Sequence, residues 1–382
     1  MVIAIDGYEA NVANRVGIGR YAYEIVKHIY KIQNTKYDIQ NTNFRIYLPT
    51  EPLADMPKET SWWNYRVVGP KKLWTFIGLP LALLRDTPKA DVVFSPTHYI
   101  PRFIDIPRAM SIMDCSYLAF PELFNAKDLH QLIHWTKYAS SHAKAIFTIS
   151  RFSKNAIIKA YRVNTKQVVV TYPGVKTISN IKYPMSNIQE KYKISKHYIL
   201  SVGTIQPRKN YTRLIAAFSQ FLKSNKQRFG EIDLVIVGKK GWIVEEILEA
   251  PKTYQVENRV KFLDFVPDSD LPALYHDALC FALPSLYEGF GLPVLEAMAQ
   301  SCPVVVSNSS SLPEITGKAG VYVDPTNVES IAKGLLTAVR QRNLMQGKIR
   351  VKKGLEQVKK FSWDKAAKQT LDMLNQIVKD RI

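Results

Sequence analysis

His197-Tyr-Ile-Leu-Ser-Val-Gly-Thr-Ile-Gln-Pro-Arg-Lys-Asn210 joins an apolar run to a glycine and a cationic loop. The run has strand length and no polar alternation, as expected where helices cover both faces of a parallel sheet. Beyond it, Leu214, Ala217, Phe218 and Phe221 recur at helical spacing. Before it, residues 176–195 are polar, hold Pro184 and show no clear period, which reads as a linker. The alternation of strand and helix therefore starts afresh at residue 197. Upstream, Val2–Ile5, Phe44–Leu48, Val92–Ser95, Ala145–Ile149 and Val168–Thr171 read as strands. Downstream, Leu234–Val237, Val260–Leu263, Leu279–Leu283 and Val304–Ser307 do the same. The pattern predicts an α/β fold of two doubly wound domains, residues 1–175 and 196–360, joined by the linker. Ligands of such sheets lie outside the carboxyl ends of the strands, so two facing domains would make a cleft.

Length and composition agree with this division. The chain has 382 residues, enough for two cores at ~100–200 residues per domain. With 46% hydrophobic and 22% charged residues it is not a disordered chain. Cys115, Cys280 and Cys302 form no C-x-x-C pair, which argues against a disulfide framework and fits a reducing, cytoplasmic setting. The opening Met-Val-Ile-Ala-Ile-Asp is too short an apolar run for a signal peptide. The apolar segment Leu73–Leu84, interrupted by Gly78 and Pro80, is too short to span a bilayer and is expected to be a buried helix.

The net charge of +19 is unevenly placed. Residues 1–175 carry 22 basic and 13 acidic side chains, and residues 340–382 carry 12 and 4. Such a balance attracts nucleic acid, anionic lipid or phosphorylated substrates. No RRM, KH, zinc-finger or helix-turn-helix pattern supports the first of these. Lys71 and Lys72, beside Leu-Trp-Thr-Phe-Ile77, leave contact with a membrane surface open.

Three loops carry candidate chemistry. Gly17-Ile-Gly-Arg-Tyr21 opens a helix, where glycines permit close approach and unpaired N–H groups favour anions. Arg208 and Lys209 follow a buried strand, positioned to hold phosphate oxygens from an exposed loop. As exposed residues, their replacement by Ala should change stability by no more than ~0.5 kcal/mol. Pro284-Ser-Leu-Tyr-Glu-Gly-Phe-Gly-Leu-Pro-Val-Leu-Glu296 is a strand end, a glycine-rich turn and a helix start. Glu288 in the turn and Glu296 on the helix are acids of the kind that accept hydrogen bonds from sugar and ribose hydroxyls. Asp268-Ser-Asp270 has the form of a metal-binding D-x-D, but helix capping ahead of Leu271 accounts for it, and no zinc site is expected.

Glu288 to Glu296 resembles the E-x7-E motif of retaining, nucleotide-sugar-dependent glycosyltransferases of family 4, which have the GT-B fold of two Rossmann-like domains. The likeness runs on through Ser150-Arg-Phe-Ser153, Tyr172-Pro-Gly-Val175, Val202 to Asn210, Val237-Gly-Lys-Lys-Gly-Trp242, Phe265-Val-Pro-Asp268, Ser307 to Glu314 and Val323-Asp-Pro325. The resemblance implies that Arg208 and Lys209 neutralise the donor diphosphate. It implies that Glu288, with the backbone of Gly289, Phe290, Gly291 and Leu292, contacts the donor sugar, and that Glu296 holds the ribose. Gly17 and Gly19 would approach the donor phosphate or sugar. Residues 361–382 would form a helix crossing back to the N-terminal, acceptor-binding domain. Trp363, Ala367, Leu371 and Leu374 make a matching apolar stripe.

One position departs from the family. Met113-Asp114 stands where many relatives have His-Asp, leaving Asp114 as the catalytic candidate there. His98 is a possible substitute, although a histidine in a surface turn is the plainer reading. The implied reaction moves a hexosyl group, mannose favoured, from GDP-mannose or a UDP-sugar to a hydroxyl of a glycan or lipid-linked acceptor in surface polysaccharide synthesis. It would proceed with retention and without metal, in the cytoplasm, with peripheral contact at the inner face of the cell membrane left open. A UDP-sugar epimerase of the same fold and a basic nucleic-acid binder are the alternatives.

Overall fold

The computed structural model describes residues 1–35, 42–175, 188–224 and 231–381. The chain divides into two compact units, Met1–Gly174 with Ser362–Ile382, and Val175–Phe361. Residues 176–187 of the expected linker lie outside the described residues. The rest of that stretch is not plain linker: Ile188–Tyr192 is helical, and Ile194 is buried. It is fastened to the second unit where Gln189 donates to Asp277 and the Tyr192 hydroxyl to Asp270.

In the first unit the apolar runs become a seven-stranded sheet with every pair parallel. Its strands are Val2–Asp6 (β1), Asn43–Leu48 (β2), Trp63–Val67 (β3), Val92–Ser95 (β4), Arg108–Ser111 (β5), Ala145–Thr148 (β6) and Val168–Val170 (β7). Their order is β3-β2-β1-β4-β5-β6-β7, so the winding reverses between β1 and β4. The helix Trp363–Lys379 belongs to this unit, burying Trp363, Ala367, Leu371 and Leu374. A side chain on Gly174 would come within 2.4 Å of the Trp363 amide nitrogen, so the glycine is what lets the returning chain lie this close. His28 and Lys31 of the helix Ile18–Thr35 hold Asp364 at 2.7 and 3.1 Å.

The second unit repeats the design with six strands, again all parallel. They are His197–Val202 (β8), Ile232–Val237 (β9), Val260–Leu263 (β10), Cys280–Leu283 (β11), Val304–Ser307 (β12) and Val321–Val323 (β13). The order β10-β9-β8-β11-β12-β13 reverses between β8 and β11. Leu214, Ala217, Phe218 and Phe221 face the sheet from the helix Tyr211–Ser224, in one buried cluster with Ile199, Leu234 and Ile236.

Three strands escape the sequence pattern: β3, β5 and β13. Arg108-Ala-Met-Ser111 contains no β-branched residue, yet it is paired on both sides. Its neighbours rather than its propensity make it a strand. The segment Leu73–Leu84 also departs from expectation. A wide π-type turn, Trp74–Gly78, runs into the helix Leu79–Arg85. Trp74, Leu79 and Leu83 are buried, but Leu73, Ile77, Leu81 and Leu84 face solvent. Only one face of this helix is core.

Candidate active site

Sheet topology brings two distant loops together. In doubly wound sheets the place where the winding reverses leaves a crevice beyond the strand ends. The loops leaving β8 and β11 flank that place in the second unit. They carry Arg208, Lys209 and Glu288.

Gly203 follows β8 and leads to a 3-10 turn, Pro207–Lys209, and Asn210 in the left-handed region at φ 64°. Asn210 donates to the carbonyls of Pro284 (2.8 Å) and Pro325 (2.7 Å), tying three strand-end loops together. The Leu286 amide donates in turn to the Arg208 carbonyl. A side chain on Gly238 would meet the Gly203 carbonyl oxygen at 2.1 Å, so the β9 loop packs on the β8 loop through bare backbone.

Within this frame Lys209 Nζ donates to Glu288 Oε1 at 2.6 Å, and Arg208 Nη1 to Oε2 at 3.2 Å. Ser285 adds a hydroxyl to Oε1 at 2.7 Å, and Arg208 also donates to the Tyr287 carbonyl at 2.6 Å. Lys209 is 8% exposed and Glu288 5%. Burial alone would raise the Glu288 carboxyl, but Lys209 and Arg208, with hydrogen bonds from Lys209 and Ser285, hold it down at about 2. The expectation of two cations in an exposed loop is therefore wrong. Arg208 and Lys209 are the counter-charges of an acid some 80 residues away, brought to them by the sheet. The trio keeps one net positive charge, and three hydrogen bonds fill three of the roughly four acceptor sites of a carboxylate. Among the described residues, Oε2 accepts from Arg208 alone.

The turn is braced from β12. Ser311 donates to the carbonyls of Glu288 and Phe290, both at 2.9 Å, and Ser310 accepts from the Glu288 amide at 3.1 Å. No local sequence signal marks these serines, because a run of serines reads as loop until its partners are known. The Phe290 side chain is buried edge-on against Phe361, so any ligand contact of Phe290 would be through its main chain. Gly289 connects it to Glu288. Gly291 caps the helix Leu292–Ala299 at φ 100°, with Leu312 Cδ2 2.7 Å from where a side chain would start. On that helix, Glu296 accepts from the Tyr275 hydroxyl at 2.9 Å. Burial, then the charge of Glu296, pushes the Tyr275 phenol far above its ordinary range.

The remaining candidates lie in the first unit. Gly17 is exposed at φ 50°, with nothing within 4 Å of where a side chain would start. Gly19 is buried, and a side chain there would come 3.1 Å from the Glu9 carbonyl oxygen. Asp114 Oδ1 accepts the Ser116 amide at 2.8 Å, starting a short helix. His98 is no surface-turn histidine. Its Nε2 accepts the Met113 amide at 3.2 Å, its Nδ1 is buried, and burial pushes its imidazole down to about 4 against the pull of Asp114.

One further reading changes. Asp270 does not cap its helix through its side chain; the carboxylate takes Lys191 at 2.6 Å and Tyr192 at 2.5 Å. His130 and His134, one turn apart with ring centroids at 4.2 Å, do have the H-x3-H spacing of a metal-binding pair. Among the described residues, no third His, Cys, Asp or Glu completes a set with them.

Comparison with known proteins accords with this geometry. Residues 185–352 match the family described as glycosyl transferases group 1. The chain is 32% identical over 314 residues to the O-antigen chain mannosyltransferase B of Escherichia coli, covering 81% of this chain and 78% of that one. It is 32% identical over 235 residues to the serotype-specific mannosyltransferase WbdA of the same organism, spanning 60% of this chain but 28% of that longer protein. In fold, the sucrose-phosphate synthase of Thermosynechococcus elongatus superposes with a TM-score of 0.73 over 98% of both chains at 16% identity. With two parallel-sheet units of the GT-B class and a close mannosyltransferase relative spanning most of its length, the chain belongs to the group 1 family of glycosyltransferases.

Proposed function

We propose that this glycosyltransferase moves a mannosyl group from GDP-mannose to a hydroxyl of a lipid-linked glycan, with retention at the anomeric carbon. The observation that carries the donor half is the Arg208–Lys209–Glu288 trio at the β8/β11 reversal. Its net positive charge suits a diphosphate leaving group, and the remaining acceptor site on Glu288 suits a sugar hydroxyl. Glu296 is the candidate ribose acid, oriented by Tyr275. The similarity to O-antigen mannosyltransferase B supports mannose as the sugar and a surface polysaccharide as the product. A UDP-sugar is the alternative donor.

Catalysis would be mainly electrostatic: hold the acceptor hydroxyl near the anomeric carbon and stabilise the departing diphosphate. A leaving phosphate oxygen takes the acceptor proton, so the methionine at position 113 removes no obligatory base. Arg208, Lys209 and the Leu292 helix start supply the positive field, and no metal is needed in this scheme.

A thermal-shift panel of GDP-mannose, UDP-glucose and other nucleotide sugars, run with and without EDTA, tests the reading. Stabilisation by GDP-mannose alone, unchanged by chelation, is the expected result. Response to no nucleotide sugar would sink it. Epimer released from a UDP-sugar without acceptor would favour an isomerase instead, and activity lost in EDTA but restored by Mn²⁺ would reject the metal-free scheme.

A further inference from the structure

Large apolar side chains are seldom gathered on a solvent-facing edge without a partner. The first unit has such an edge. Leu73, Ile77, Leu81 and Leu84 are 50, 39, 40 and 46% exposed, spaced three or four residues apart along the π-type turn and the helix Leu79–Arg85. That spacing places them on one side, opposite Trp74, Leu79 and Leu83, which enter the core. The loop of Arg102 and Phe103 docks on the same turn: the Arg102 amide donates to the Thr75 carbonyl at 3.0 Å, and its guanidinium covers Phe76 at 4.4 Å. Phe103, next in the chain, is 76% exposed.

Leu73 and Phe103 are also the two conformational outliers of this edge, at φ 57° and 60°. A bulky residue in the left-handed region costs free energy that Gly or Asn would avoid, and a solvated leucine or phenylalanine returns none of it through packing. Water gives no reason to keep either side chain there. An apolar medium does.

Charge selects the medium. Lys71, Lys72, Arg85 and Lys89 flank the stripe and are exposed. The acid at the helix end, Asp86, is already engaged by Arg45, Tyr47 and Arg66. An apolar stripe bordered by cations that no acid pairs among the described residues matches the interface of an anionic bilayer, where side chains insert shallowly and lysines meet headgroups.

We infer that Leu73, Ile77, Leu81, Leu84 and Phe103 form a membrane-insertion edge, with Lys71, Lys72 and Arg85 as its headgroup contacts. This deepens the lipid-linked acceptor reading by naming the surface that would bring the first unit to the acceptor's bilayer. Trp74 and Phe76, the aromatics of the sequence motif, are not the inserted groups. Trp74 is buried, and Phe76 lies under Arg102.

Co-sedimentation of the full chain with phosphatidylcholine vesicles, with and without phosphatidylglycerol, tests this. Binding should require the anionic lipid and fall with salt. Lys71→Gln with Lys72→Gln should weaken it by roughly 25-fold, about fivefold per lost cation. Leu73→Asn with Phe103→Asn leaves charge unchanged and suits the left-handed backbone, yet should weaken binding at least ~tenfold. Unfolding midpoints no lower than wild type in these variants exclude misfolding. Undiminished binding by the Leu73 and Phe103 variant, equal binding to neutral vesicles, or none to either would overturn the inference. So would concentration-dependent self-association abolished by Phe103→Asn, which would make the occupant a second copy. A chain that binds anionic vesicles but no nucleotide sugar would fail the donor reading alone.

Discussion

Lys209→Met separates a buried counter-charge from an exposed lysine more sharply than any other change in this protein. The substitution keeps an apolar stem while deleting the ammonium 2.6 Å from Glu288 Oε1. Glu288, 5% exposed, would then rely on Arg208 at 3.2 Å and the Ser285 hydroxyl. Breaking a buried pair from one side costs ~3–5 kcal/mol, because the partner is left charged in a poor solvent. The carboxyl points the same way: against burial, Lys209 and Arg208 hold it down at about 2. The expected loss is therefore at least about 3 kcal/mol, against the ~0.5 kcal/mol of an exposed site. The sign with pH follows from linkage. A depressed carboxyl adds stability that is present above pH 4.5 and disappears as pH falls towards 2. The gap between wild type and variant should therefore be widest at pH 7 and close on acidification. Urea titrations read by amide exchange in β8 and β11 suit a chain with two units, whose unfolding a global probe would blend. Lys209→Met with Glu288→Gln, which removes both charges, should recover much of the loss. A single variant within ~0.5 kcal/mol of wild type at pH 7, with no pH dependence, would refute the buried trio.

Other positions give simpler tests. Gly291→Ala forces a side chain into φ 100° and against Leu312, so it should cost about 1–3 kcal/mol and weaken nucleotide-sugar binding, read by calorimetry. Asp6 is buried under Trp74, Tyr8 and Ser95, and burial raises its carboxyl to about 6 despite their hydrogen bonds. Stability tied to a raised carboxyl is full below pH 3.8 and lost as pH rises through 6, so Asp6→Asn should stabilise at pH 7.5, by up to about 3 kcal/mol, and be neutral near pH 4 in denaturant melts. Tyr275→Phe should raise the donor KM with little change in kcat if Glu296 holds the ribose; an unchanged KM would dissociate that tyrosine from donor binding.

The parts of the fold legible in the sequence are those where one physical cause dominates. Val304-Val-Val-Ser307 and Val2-Ile-Ala-Ile-Asp6 are strands because every residue is buried, and an unbroken apolar run says so. Arg108-Ala-Met-Ser111 is a strand only because β4 and β6 hold it, which nothing within four residues can announce. The same distinction divides the site. Gly291 and Pro293 announce a turn and a helix start locally. That Lys209 and Arg208 face Glu288 depends on a strand order known only once the sheet has formed.

That dependence also explains why two cations after a strand looked solvated. In an isolated loop Arg208 and Lys209 would be; placed at the β8/β11 reversal, they share a crevice with whatever the β11 loop carries. The β11 loop carries one buried acid against two cations, so the three side chains sum to one formal positive charge. A site meant only for stability would pair charges one to one or replace them by apolar groups, since buried ion pairs add little net stability. An uneven trio, braced by Ser285, Ser310 and Ser311 and capped by an obligate glycine, is instead the kind of arrangement that the proposed diphosphate-binding role calls for.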